Sequence, residues 1–150
     1  MRRTISLLVL FLAAFTAYGQ RSSLNIDKGN ARLTVDGRPY LILGGEFGNS
    51  SASCPEDIEK NMAKVARMGL NTILVPACWD LIEPKEDSFD FSLIDKVLEE
   101  ARRNDLKVVF LWFGAWKNSM SCYAPLWFKE DYRKYPRAYT EGGKPLEIAS

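Results

Sequence analysis

The chain has 150 residues, 47% of them apolar, and a formal net charge of +1. That is room for one domain of ordinary size with a real core, and the near-neutral balance points away from a nucleic-acid partner. There is no histidine, and the three cysteines, Cys54, Cys78 and Cys122, are widely spaced. A zinc site, a Ser-His pair or a Cys-His pair within the chain is thereby excluded, and no metal or cofactor is implied. An odd, scattered set of cysteines is no disulfide framework, although one pair is compatible with an exported protein.

Arg2 and Arg3 give a charged start, and Leu7 to Phe15 is an apolar run too short to span a bilayer. Ala17-Tyr18-Gly19 places small residues where a signal peptidase reads them. Residues 1–19 are therefore expected to be a signal peptide and Gln20 the first mature residue. The mature protein is then exported, periplasmic or extracellular, with no membrane span.

Leu33-Thr-Val35, Asp36-Gly37 and Arg38-Pro39-Tyr-Leu-Ile-Leu43 read as a β-hairpin, with Pro39 confining the second arm to an edge. Gly44-Gly45-Glu46-Phe47-Gly48-Asn49 follows as a loop. Its glycine spacing is not that of a phosphate loop, but it is suited to presenting Glu46 or Asn49 at a strand end. Glu46 is either a site residue or a solvated loop acid.

Ser53 is the expected N-cap of a helix with Pro55, Glu56 and Asp57 in its first turn. Ile58, Met62, Val65 and Ala66 form its core stripe, and Gly69 ends it. Thr72 to Val75 is an apolar run suited to a strand buried on both faces, ending at Pro76. Trp79, Asp80 and Glu83-Pro84 come next, with Glu83 read as a turn acid. A second helix is expected to bury Leu93, Ile94, Val97, Leu98 and Ala101 and to wet Glu99, Glu100, Arg102 and Arg103. Leu106 to Phe113 is the next strand, and the tail from Cys122 is aromatic and irregular, without a closing element.

Strands alternating with helices imply an α/β fold with a parallel sheet. Two such units open a (β/α)8 barrel or form part of a doubly wound sheet. Chemistry in either sits past the carboxyl ends of the strands. Trp112, Trp116 and Trp127 cluster there, with Lys117, Asn118 and Ser119 beside them. Aromatic faces beside polar groups suit a sugar ring, and they equally suit a filled core. Glycoside hydrolysis takes two carboxyl groups, and Glu46, Asp80 and Glu83 are the acids near strand ends, none in a distinctive setting.

The stretch Met68-Gly-Leu-Asn-Thr-Ile-Leu-Val-Pro76, then Trp79-Asp-Leu-Ile-Glu-Pro84 and Phe89-Asp-Phe-Ser92, resembles the second barrel strand of glycoside hydrolase family 35 β-galactosidases and is similar to the related family 42. Val35-Asp-Gly-Arg-Pro39 leading to Gly44-Gly-Glu-Phe47 looks like their first strand. Leu106-Lys-Val-Val-Phe110 and Ala124-Pro-Leu-Trp127 look like the third strand and its loop.

The resemblance spans roughly residues 31–145. It implies the N-terminal part of a (β/α)8 TIM barrel, about three βα units and incomplete, since a whole barrel takes about 250 residues. It implies a retaining exo-β-galactosidase acting on plant-type poly- or oligosaccharides, with a carbohydrate substrate as its partner. The acid/base and nucleophile Glu would both lie beyond Ser150, so no catalytic residue is expected within the chain. Glu46, Trp79, Trp112, Trp116, Lys117, Asn118 and Ser119 are the expected substrate-binding residues. Where many members carry an Ala-Glu that holds the sugar, this chain has Trp116-Lys-Asn-Ser119. Two of the buried strands would lack neighbours, which implies poor stability for the piece alone.

Overall fold

The computed structural model describes residues 22–115, 117 and 122–149. The expected signal peptide, 1–19, lies outside them. The chain divides into two compact units, the first ending at Leu41 and the second beginning at Ile42.

In the first unit, β1 (Ser22–Asp27), β2 (Asn30–Val35) and β3 (Arg38–Pro39) form an antiparallel meander. The Asp36-Gly37 turn is present as expected, with φ of 51° and 74°, the pair of positive values that suits a two-residue hairpin. The expected second arm is only two residues long. An additional turn at Lys28-Gly29, with φ of 47° and 83°, pairs β1 with β2. Thr34, buried, holds that pair together: its hydroxyl lies 2.7 Å from Ser23 Oγ and accepts from Asn25 Nδ2 at 3.1 Å.

In the second unit, β4 (Gly44–Glu46), β5 (Thr72–Cys78) and β6 (Lys107–Phe113) form a parallel sheet in that order. Helix α1 (Pro55–Arg67) joins β4 to β5, and the one-turn helix α2 (Trp79–Ile82) and α3 (Ser92–Arg103) join β5 to β6. Gly44 and Gly45 are thus part of the first parallel strand, not of a loop. A Cβ at Gly44 would meet the Thr72 carbonyl oxygen at 3.3 Å, so glycine permits the strands' approach. The apolar Leu41 to Leu43 precede β4 and are exposed.

Strand β5 runs through Pro76 instead of ending there. Leu74 accepts from Phe47 N–H on the β4 side at 2.9 Å. With a period of two, the missing N–H of Pro76 faces the same side, where β4 has already ended at Glu46. No ladder bond is therefore lost.

Helix α1 caps at Cys54, one residue after the expected Ser53, with Pro55 opening the first turn. Ile58, Met62 and Val65 face the core with Ile73 and Val75 of β5 and Val97 and Ala101 of α3. Gly69, at φ 76°, lets the chain leave α1 and enter β5. Strands β4 and β6 are paired on one edge each, and Val109 and Phe110 of β6 are exposed. The tail is ordered rather than irregular. Helix α4 (Leu126–Glu130) follows Pro125, and β7 (Arg137–Tyr139) pairs antiparallel with β8 (Pro145–Ala149) through a turn with Gly143 at φ 75°.

Glu100 corrects the expected wet face of α3: it is 1% exposed. Lys96 Nζ donates to its Oε1 at 2.8 Å and Arg103 Nη1 to the same oxygen at 2.6 Å. Two charge-assisted bonds offset the desolvation of the carboxylate. The Lys96 hydrogen bond is the main reason its carboxyl is held below the usual range. A depressed carboxyl stabilises the fold above its unfolded value, and that contribution disappears as pH falls through the folded value. Glu100→Gln is therefore expected to melt below wild type at pH 7, with the gap closing under acid below the ordinary Glu range. Thermal melts at stepped pH check this; a gap independent of pH would contradict it.

Candidate active-site face

The carboxyl ends of β4, β5 and β6 lie side by side, with Glu46, Trp79, Trp112 and Lys117 at or next to them. Glu46 is the last residue of β4, and Lys117 follows β6. Lys117 Nζ lies 3.8 Å from Glu46 Oε1 and 4.5 Å from the centre of the Phe113 ring. Two residues from opposite edges of the sheet thus meet across the end of β5. The Glu46 side chain is about half exposed, so the pair contributes little to stability and leaves its groups open to a ligand.

Trp79 leaves β5 at the start of α2. Its ring lies 6.5 Å from Trp112 at 40°, 5.8 Å from Trp127 at 87°, and 4.8 Å from Phe128 at 56°. Trp112 is 59% exposed and offers an open ring face, whereas Trp79 and Trp127 are half-buried. Tyr135 closes the far side, 4.4 Å from Phe128 and 5.8 Å from Trp127. Backbone bonds tie the loops beneath. Asp80 N–H donates to the Tyr123 carbonyl at 2.8 Å, and Tyr123 N–H to that of Gly114 at 3.1 Å.

Of the expected sugar-holding residues, the structure therefore brings Glu46 to Lys117 and Trp79 to Trp112. Trp116, Asn118 and Ser119 lie outside the described residues. Trp127, Phe128 and Tyr135 complete the aromatic cluster.

Glu83 does stand in the turn after α2, but as a buried group, 9% exposed. Trp79 Nε1 donates to its Oε2 at 2.7 Å and Asp87 N–H to its Oε1 at 2.9 Å. Trp127 Nε1 donates to its main-chain oxygen at 2.9 Å. The available signal was the Trp79-x-x-x-Glu83 spacing, which puts both side chains on one face of a helical turn. Glu86, beyond it, accepts from Lys134 Nζ and from the Tyr135 hydroxyl, the latter at 2.9 Å. The Lys134 bond in particular holds the Glu86 carboxyl low.

Asp80 sits beside Trp79 with its Oδ1 buried and without a hydrogen-bond partner among the described residues. Burial pushes its carboxyl up. Burial, with Asp80 adding to it, also pushes the Cys78 thiol up to about 11, so that thiol is unreactive at neutral pH. Cys54, Cys78 and Cys122 are all free thiols. Among the described residues, no three metal-ligating side chains gather to hold an ion.

Residues 50–147 match the profile of the glycoside hydrolase 42 family, described as β-galactosidase. A β-galactosidase of Xanthomonas manihotis is 31% identical over 116 residues, which is 73% of this chain and 19% of that protein. The chain thus spans about a fifth of this relative. Among solved structures, the exo-β-1,4-mannosidase Op5Man5 from Opitutaceae bacterium strain TAV5 superposes with a TM-score of 0.52 at 18% identity, covering 67% of this chain and 20% of that one. That likeness shows the fold, the N-terminal part of a (β/α)8 barrel. The sequence resemblance put family 35 first and family 42 beside it; the profile is that of family 42. With a match extending over more than half of its length, the chain belongs to the glycoside hydrolase 42 β-galactosidase family.

Proposed function

We propose that the chain supplies the sugar-holding face of a retaining exo-β-galactosidase of the kind shared by families 35 and 42. Its substrates are β-galactosides of plant-type poly- or oligosaccharides. The observation that carries this reading is that the Trp79–Trp112 pair and the Glu46–Lys117 pair both sit at the carboxyl ends of the parallel strands. A barrel places its chemistry at that end. An aromatic ring stacks on the C–H face of a sugar, and a carboxylate and an ammonium reach its hydroxyls. The family supports the galactoside. The acid/base and nucleophile Glu come from sequence beyond Ser150, and export is directed by residues 1–19.

The test uses the full-length protein recovered after export. Its N-terminus is expected at Gln20, and of a panel of p-nitrophenyl glycosides the β-galactoside is expected to have the highest kcat/KM. An intact Met1 in the recovered protein would remove the export reading. Preference for a β-mannoside or β-glucoside would replace the galactoside by another sugar, and inactivity on all of them would leave a non-catalytic sugar-binding protein.

A further inference from the structure

We propose that Glu83 is a positioning residue for the sugar-stacking face, setting the tilt of Trp79 through its carboxylate and that of Trp127 through its own main-chain carbonyl; this rests on the sugar-binding reading above. An indole has one N–H, so a bond from it fixes how the ring is rotated about its stem. Glu83 accepts that bond from Trp79 at 2.7 Å and, through its main chain, from Trp127 at 2.9 Å. The two rings meet edge to face at 87° as a result.

Both carboxylate oxygens are committed. The second accepts from the Asp87 N–H, and Asp87 stands at φ 59°, in the left-handed region that Asp enters more readily than most residues. Glu83 therefore joins the shape of the turn to the orientation of the ring. An ionised carboxylate only accepts, which matches two N–H groups. Glutamine offers one acceptor oxygen and one amide that only donates, so one of the two N–H groups loses its partner.

A clamp serving stability alone and one serving ring orientation differ in what they change. The experiment compares Glu83→Gln, Trp79→Phe and the double variant with wild type in the full-length protein, on the best p-nitrophenyl glycoside of the panel. Trp79→Phe keeps a ring but removes its N–H. Each single change is expected to raise KM about tenfold, the scale of one lost charge-assisted bond, with kcat within about twofold of wild type. The double variant is expected to be no worse than either single one, since both remove the same bond. An unchanged KM in Glu83→Gln, a multiplicative loss in the double variant, or a fall in kcat at unchanged KM would each overturn the proposal. If Glu83→Gln does not fold, Trp79→Phe decides: a raised KM supports the proposal and an unchanged one overturns it. If wild type prefers another glycoside, only the galactoside reading falls and KM is read on that sugar. If wild type cleaves none, the catalytic reading falls alone, and the same variants are compared by their dissociation constant for p-nitrophenyl β-galactoside, where an unchanged value in Glu83→Gln overturns the proposal.

Discussion

Phe113→Ala is expected to destabilise the protein by about 3–5 kcal/mol, the usual cost of emptying a fully buried aromatic site. Phe113 is 1% exposed, ends β6 opposite Cys78, and packs 5.1 Å from the Tyr123 ring. Lys117 Nζ lies 4.5 Å from the centre of its ring. The truncation thus opens a cavity at the strand end and removes the support of the Lys117–Glu46 pair. Phe113→Leu, which keeps most of the volume, is expected to cost less than half as much. Urea midpoints at unchanged m-value measure both. A loss below about 1 kcal/mol for the alanine variant would mean the strand end collapses to fill the space.

Trp79→Ala is expected to have the largest effect on sugar handling. The ring touches Trp112, Trp127 and Phe128, and its N–H is the partner of a buried carboxylate. Removing it deletes a stacking surface and leaves Glu83 with one donor fewer in a dry setting. KM for the galactoside is expected to rise at least about tenfold, beyond the effect of Trp79→Phe. Lys117→Ala is the comparison: it removes a half-exposed ion pair, whose loss is small. Equal effects of the two variants would shift the weight of binding from the aromatic face to the charged pair.

Much of this fold was legible in local pattern. The stripe Ile58, Met62, Val65 repeats at helical spacing, and Gly69 stops it. The apolar runs of β5 and β6 are too continuous for a strand with one wet face. What escaped was set by non-local geometry. Gly44 to Glu46 is short and glycine-rich and becomes a strand only because Thr72 approaches within reach. Pro76 reads as a strand end until the early stop of β4 is known. Glu100 reads as part of a solvated run, although Lys96 and Arg103 stand at the spacings that let them close over it.

The site was legible as a place more than as a set of contacts. Strand-end logic pointed to Glu46, Trp79, Trp112 and Lys117, but no local rule says that Glu46 and Lys117 meet across β5. Nor does a Glu-Pro dipeptide announce a buried acceptor for two indoles. The rings of Trp127, Phe128 and Tyr135 join Trp79 only because α4 and the Glu86 contacts to Lys134 and Tyr135 fold the tail back.

The most direct test of the central claim, that these residues hold the sugar while carboxylates beyond Ser150 cleave it, is hydrolysis of p-nitrophenyl β-galactoside by residues 20–150 and, beside it, by the protein extended to its natural stop. Activity in the extended protein alone, with KM raised by Trp79→Ala, is the predicted result. Turnover by residues 20–150 alone would contradict it and make Glu46, Asp80 and Glu83 the acids to replace.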